Sequence, residues 1–254
     1  MMKVTLLGTG TSGGVPSIGC NCNVCRSNDP RDKRLRCSAL VETETTRVLI
    51  DCGPDFRQQI LPYPFQRFDG ILLTHIHYDH VAGIDDLRPF CVFGNVNIYA
   101  SKSTVEALRI TMPYCFTDHL YPGVPLLSLH EAVPHIPITV GDLEIMPVEV
   151  MHGKLPILGY RIGPLAYITD MKTMAPGEAA LLKGVDTLVV NALRLTKEHH
   201  SHQLLDDAVA FARQVGARRT YIIHCTHNIG LHEHTNATLP ADIRLAYDGL
   251  TLTI

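Results

Sequence analysis

The six residues His75-Ile76-His77-Tyr78-Asp79-His80 constrain this chain more than any other stretch. They follow on the apolar run Ile71-Leu72-Leu73 and a single threonine, the pattern of a buried strand that ends in a polar turn. In extended backbone His75 and His77 project to the same side, while Asp79 and His80, in a turn that opens a helix, point in two further directions. Three imidazoles and a carboxylate so arranged offer nitrogen and oxygen ligands to two neighbouring metal ions. A lone histidine at a strand end is ordinarily a hydrogen-bonded polar residue. Four ligating side chains in six positions are not.

The second concentrated signal is Gly19-Cys20-Asn21-Cys22-Asn23-Val24-Cys25, three thiols in six positions after a glycine-rich run. A chain of 254 residues with 46% apolar side chains buries a core of its own and does not need disulfide staples, so the C-x-C-x-x-C spacing suits a metal better. The formal charge is −3 and the basic residues are scattered, which leaves no electrostatic footprint for duplex nucleic acid, extended RNA or an anionic membrane. Bulk charge therefore points to a small substrate. There is no basic leader followed by an apolar stretch, and no run approaches the roughly 20 apolar residues a bilayer demands. A soluble cytoplasmic protein without a membrane partner is expected.

Periodicity alternates short β-rich runs with amphipathic stretches, without repeats or linkers, and predicts one domain over 1–254. Strands are expected at 3–8, 38–43, 47–51, 70–74, 96–100, 143–150, 157–162, 165–169, 185–190, 219–224 and 250–254. Helices are expected at 79–92, 102–112, 176–183 and 202–215. In the last, Leu205, Ala208, Val209, Ala212 and Val215 recur at helical spacing and Ser201 stands as an N-cap. Such a mixture suggests two sheets packed face to face with helices outside. The proline-bearing loops at 113–137 remain unplaced.

The H-x-H-x-D-H stretch resembles the signature of the metallo-β-lactamase superfamily of metal-dependent hydrolases, and Leu49-Ile50-Asp51-Cys52-Gly53 matches that family's strand-ending aspartate, a buried carboxylate behind the ligands. The resemblance covers essentially the whole chain and implies an α/β fold, the αββα four-layer sandwich. It also implies three further ligands, each after a strand: His152 after 145–151, Asp170 after Ala166-Tyr167-Ile168-Thr169, and His224 after Thr220-Tyr221-Ile222-Ile223. By similarity His75, His77 and His152 hold one metal, Asp79, His80 and His224 the other, and Asp170 bridges both.

His227 lies three positions beyond His224, free to reach a different metal, and is expected to complete a Cys3His zinc site with Cys20, Cys22 and Cys25. Such a clip would tie the loop at about 19–25 to the strand that carries His224. Cys225 and Cys37 are its rivals for the fourth position. The clip, together with the opening Gly8-Thr9-Gly10-Thr11-Ser12-Gly13-Gly14-Val15-Pro16, resembles the branch that contains the phosphodiesterase of bacterial phosphonate breakdown, which opens phosphoribosyl 1,2-cyclic phosphate. Proteins of pyrroloquinoline quinone biosynthesis share a similar cysteine-bearing start. The glycine-rich opening lacks the Lys-Ser/Thr ending of a P-loop and reads as turn structure near the site.

The implied chemistry is attack by water, activated between two divalent metals, on a small and possibly cyclic phosphodiester, with no serine or cysteine nucleophile. The all N/O ligand set admits Zn or Mn, and Fe as well. Asp79 belongs to the catalytic set. His202, at the first turn of the 202–215 helix, is the candidate general acid, because the helix's positive end would ease proton release. His199 and His200 read as solvated approach residues. The family's segment between Asp170 and His202 differs from Val189-Val190-Asn191-Ala192-Leu193-Arg194 here, and Arg194 is a candidate bidentate phosphate contact. Carboxyl-ester, thioester or lactam hydrolysis on the same metals is the alternative, and a non-catalytic metal-holding biosynthetic protein a second one. A homodimer is the family-level expectation.

Overall fold

The computed structural model describes residues 1–117 and 121–254, so part of the 113–137 loop expectation lies outside the described residues. The first sheet contains β1 (Lys3–Gly8), β2 (Ser38–Glu42), β3 (Arg47–Ile50), β4 (Gly70–Leu72), β5 (Val96–Ala100), β6 (Leu127–Glu131) and, from the far end of the chain, β14 (Leu250–Thr253). Their order is β14-β1-β2-β3-β4-β5-β6. The second contains β7 (Ile138–Val140), β8 (Leu143–His152), β9 (Leu155–Ile162), β10 (Leu165–Ile168), β11 (Thr187–Asn191), β12 (Arg219–Ile223) and β13 (Ile243–Leu245), ordered β13-β12-β11-β10-β9-β8-β7.

Both sheets share one plan. Strands β14 to β3 pair antiparallel, and β3 to β6 parallel. Strands β7 to β10 pair antiparallel, and β10 to β13 parallel. Parallel strands are covered on both faces and so read as continuous apolar runs. Successive side chains on β3 and β4 accordingly go to two different cores: Val48, Ile50 and Leu72 into the layer between the sheets, Leu49 and Ile71 under the outer helices. On β11, Val189 faces the inter-sheet core while Leu188 and Val190 face the opposite helical layer.

Helices α1 (Phe56–Ile60), α2 (Tyr78–Val81) and α3 (Lys102–Thr111) cover the first sheet, and α4 (Pro176–Leu181), α5 (Leu205–Val215) and α6 (His232–Thr238) the second. The result is the αββα sandwich of the metallo-β-lactamase type. Helix α5 buries Leu205, Ala208, Phe211, Ala212 and Val215, and at about 1.5–3 kcal/mol for each large apolar side chain this face holds it in place. No helix among the described residues is long and apolar enough to cross a membrane.

Two helical expectations need correction. The stretch 79–92 is one helical turn, α2, followed by a 3-10 segment over Ile84–Phe93 that contains Pro89. The break falls at Gly83, where a Cβ would meet the Gly53 carbonyl oxygen at 2.0 Å and where the amide donates to the Cys52 carbonyl. The chain after β3 thus packs directly onto the end of α2. The 202–215 helix begins at Leu205, with Asp207 accepting from the Leu204 amide, so Ser201 is not its N-cap and His202 precedes its first turn. Strands β6, β7 and β13 and helices α1 and α6 were not expected.

Candidate metal centre

The centre forms where parallel strands end, the position at which open α/β sheets bind ligands. Three residues immediately after such strands, Asp51 after β3, Asp170 after β10 and His224 after β12, have φ of 59°, 55° and 57°. This is the left-handed region, which costs a non-glycine residue energy and is held only where the surroundings impose it. Each bend turns a side chain into the space between the two sheets' ends.

Asp51 is fully buried and organises its neighbours. Its carboxylate accepts from the Thr74 amide at 2.8 Å and hydroxyl at 2.9 Å, and from Nδ1–H of His80 at 2.7 Å. Because the Thr74 hydroxyl hydrogen is committed to Asp51, its oxygen accepts from Nδ1–H of His75 at 3.0 Å. His152 likewise donates Nδ1–H to the Asp170 carbonyl at 2.7 Å. These bonds fix three imidazoles in the tautomer that leaves the Nε2 lone pair facing the centre, the arrangement that supports metal ligation.

Ligand atoms of His75, His77 and His152 lie within 4.8 Å of one another, as do those of Asp79, His80, Asp170 and His224. His80 Nε2 is 3.2 Å from carboxylate oxygens of both Asp79 and Asp170, and His224 Nε2 is 3.0 Å from Asp170. Nε2 of His75 and His80 and both ring nitrogens of His224 are buried without a hydrogen-bond partner. Among the described residues, the ion-pair partners of Asp51, Asp79 and Asp170 are histidines alone. Burial works against charge on both His224 and His80, but Asp170 and Asp79 hold the pKa of His224 up to about 9, and Asp51 and Asp170 raise that of His80 well above its usual range. Burial first, and then the neighbouring His80, drive His75 well below its usual range. Asp79 and Asp170 face imidazole nitrogens that no hydrogen bond satisfies, with no Lys or Arg among their ion-pair partners, and this donor set fits two divalent cations, one toward each group.

The thiol cluster is separate. Cys20, Cys22, Cys25 and His227 place ligand atoms within 4.8 Å of one another, with Cys25 Sγ 3.2 Å from His227 Nδ1. The amides of Ser17 and Cys25 point at the sulfurs of Cys25 and Cys22. The Cys25 amide lowers the Cys22 thiol's pKa, whereas burial pushes Cys25 up to about 11. No cysteine is disulfide-bonded. The rivals are elsewhere: Cys225 is buried with its thiol on the Ile223 carbonyl, and Cys37 lies in the inter-sheet core. Three thiols and an imidazole suit a closed tetrahedral zinc. The glycine-rich opening joins the two clusters, since Cys225 donates its amide to the Thr9 carbonyl and Thr11 to that of Cys225.

His202 lies in the loop before α5, with Nε2 3.0 Å from Asp170 Oδ1. Its pKa is lowered to about 4, first of all by burial, not by a helix terminus. His199 is not a solvated approach residue: it is half-buried, with Nδ1 3.0 Å from Nδ1 of His202. His200 is exposed. Arg194 donates Nε and Nη2 to the carbonyls of Lys197 and Glu198, which anchors one edge of its guanidinium to the loop while the side chain still lines a cavity. Sequence reasoning passed over Thr74, Lys154 and Lys172, the last two lining a cavity of about 620 Å³ beside His77 and His152. The two lysines are isolated in sequence, and Thr74 stands beside the histidine motif without being a ligand type.

A family model described as "Beta-lactamase superfamily domain" matches residues 46–225. An octanoyltransferase of Porphyromonas gingivalis is 46% identical over all of this chain, which spans only 52% of that protein's length. Coenzyme PQQ synthesis protein B of Methylorubrum populi is 31% identical over 74% of this chain and 72% of its own. Among solved structures, a diphosphatase of the PhnP family superposes with a TM-score of 0.92 at 40% identity, covering 100% of this chain and 98% of the other. Zinc-bound PqqB of Methylobacterium extorquens shares the fold at a TM-score of 0.79 and 20% identity, over 99% of this chain and all of its own.

Proposed function

The chain belongs to the beta-lactamase superfamily, and from that premise we propose that this metallo-β-lactamase-fold hydrolase cleaves a disubstituted phosphoryl group: a small phosphodiester, cyclic or open, or the diester of a diphosphate. The observation that carries the reading is the convergence of buried, unpartnered imidazole nitrogens on Asp79 and Asp170. His75, His77 and His152 would hold one cation, Asp79, His80 and His224 the second, with Asp170 shared. Paired divalent cations supply a nucleophile from water near neutral pH and neutralise phosphoryl oxygens. Zn, Mn and Fe all suit this donor set.

The remaining roles belong to side chains. Asp51 and Thr74 hold His75 and His80 in their working tautomers. Asp79, flanked by His80 and His224, orients the attacking water as well as holding a cation. His202 donates Nε2–H to the leaving oxygen, a role open to a half-buried imidazole beside Asp170 that lies on a cavity wall. The cysteine cluster with His227 would hold a zinc that keeps the opening loop against the strand end at His224.

Phosphoryl chemistry is supported by the 40% identity, over the whole chain, to a diphosphatase, and by Lys154 and Lys172 at the mouth of the site. A second reading, hydrolysis of an acyl ester or thioester, draws on the octanoyltransferase relative, of whose length this chain spans 52%. Turnover of bis(4-nitrophenyl) phosphate and of an octanoyl thioester by protein loaded with Zn, Mn or Fe separates the two. We expect phosphodiester cleavage at least about 100-fold above the thioester. The reverse order would install the acyl reading, and no metal-dependent turnover of either would favour a non-catalytic role.

A further inference from the structure

The centre sits between two unlike cavities. One, of about 620 Å³, is lined by His77, His152, Lys154, Lys172 and His200. The other, of about 330 Å³, is lined by Gly13, Ser17, His199, His202, Thr226 and Asn228 among others, and the clip residue His227 forms part of its wall. Resting on the phosphoryl-transfer reading, we propose that the smaller cavity is the leaving-group subsite, shaped for a neutral alcohol, and that the larger one receives the retained, anionic arm of the substrate.

Three observations carry the assignment. The proton donor must come within about 3 Å of the oxygen it protonates, and His202 lines the smaller cavity but not the larger. The departing alcohol therefore sits on the His202 side. The cavities also differ in charge. Lys154 and Lys172 offer ammonium groups to the larger one, Lys172 sharing its own with exposed Glu198 at 3.4 Å. The smaller one has a single permanent cation, Arg194, one edge of which is tied to the carbonyls of Lys197 and Glu198, and its other side chains offer hydroxyls, an amide and imidazoles. Such a wall is richer in groups that recognise hydroxyl and ring edges than the two-lysine wall of the larger cavity. Finally, the small cavity is braced: the Ser17 amide lies on Cys25 Sγ, and Thr226 gives its hydroxyl to the Leu193 carbonyl. The clip would thereby set the back wall of a specificity pocket as well as stabilise the fold.

Gly13 offers a way to fill that cavity without straining the backbone, because a Cβ built there meets nothing within 4 Å and its φ lies outside the left-handed region. The test compares kcat/KM for methyl 4-methylumbelliferyl phosphate, bulky on the leaving arm, with thymidine 5′-(4-nitrophenyl) phosphate, bulky on the retained arm. In Gly13→Phe the ratio of the first to the second should fall at least about tenfold, mainly through KM. Equilibrium binding of a 4-methylumbelliferyl phosphonate should weaken in step. Lys154→Glu should act on the other arm, lowering the kcat/KM of a retained arm with an additional 3′-phosphate about tenfold relative to the uncharged methyl arm. An unchanged ratio in Gly13→Phe, or a shift in the opposite direction, overturns the subsite. Absence of turnover on every diester by the unmodified, metal-loaded protein would instead overturn the phosphoryl-transfer reading beneath it.

Discussion

The histidine–aspartate centre and the cysteine clip are built on opposite principles. The centre draws on residues from 75 to 224, and three of its imidazoles are fixed by a partner that is not itself a candidate ligand or by a main-chain carbonyl: His80 by Asp51, His75 by Thr74, His152 by the carbonyl of Asp170. Its geometry is imposed by the sheets. The clip takes three of its four members from one short loop in which Cys22 is exposed and Cys20 half-exposed, and apart from the contact of Cys25 with His227 the sulfurs of Cys25 and Cys22 are approached by main-chain amides. The first site is preorganised and opens onto a cavity on either side; the second is closed, and a metal would give it much of its order. A catalytic cation needs an open position and a rigid frame, whereas a structural one supplies the frame.

The largest expected effect tests the rigid half of that contrast. Asp170 faces His80, His202 and His224, so Asp170→Asn should release cation from the centre and lower kcat/KM on a phosphodiester by at least about 10³-fold, roughly 4 kcal/mol. Metal analysis should show the clip's equivalent still bound. Loss of that equivalent too would mean that the sites are one cooperative unit. On the other side, Cys22→Ser and His227→Ala should each remove the same single equivalent and lower Tm by roughly 5–10 °C, a few kcal/mol in a chain this long. If His227→Ala keeps one equivalent more than Cys22→Ser, the imidazole is not the fourth ligand.

His202 and His199 sharpen the comparison at the boundary between the two sites. His202→Ala should cost about 10²–10⁴-fold in kcat with poor alkoxide leaving groups and far less with activated aryl esters. His199 acts through His202, by the contact between their Nδ1 atoms. His199→Phe should therefore show the same leaving-group dependence at about a tenth of the size on a logarithmic scale, in kcat and not KM, with partial return in His199→Asn. Equal losses on both substrate types in His202→Ala would remove the proton-donor role altogether.

The centre was largely legible in the sequence and the surroundings were not, for physical reasons. His75 to His80 declare themselves because four ligating side chains crowd six positions. Asp170 and His224 have no such local signal and emerge only through resemblance to a family, since their value lies in left-handed bends that tertiary packing imposes. The break at Gly83 comes from the close approach of Gly53, thirty residues earlier, which periodicity cannot sense. Strands β6, β7 and β13 escaped notice because each is short or largely accessible: β6 includes His130 and Glu131 at the sheet edge, and β7 and β13 have three residues each. His199 reads as solvated in sequence because its partner, three residues on in the same loop, is brought back to it only by the loop's path.

The smallest expected effect concerns a carboxylate that no cation would relieve. Asp248 accepts from the Thr9 hydroxyl and the Leu35 amide, bracing the opening segment that links clip and centre. Burial pushes its pKa up to about 6 from an ordinary 3.8, against the pull of those donors and of Arg34. The folded protein thus binds this proton more tightly than the unfolded chain does. Its contribution to stability is full below about pH 3.8 and is lost as pH rises through about 6. Because the residue is only partly shielded from solvent, the swing should be about 1–2 kcal/mol. Asp79 and Asp170, by contrast, are held well below the usual carboxylate range by facing imidazoles, even with no cation in place. Asp248→Asn keeps one acceptor oxygen and cannot titrate, so the difference in unfolding free energy between variant and parent should move in the variant's favour from pH 4 to pH 6.5. Release of metal at acid pH affects both proteins and drops out of that difference. A flat difference would place Asp248 with the carboxylates whose charge the fold already compensates.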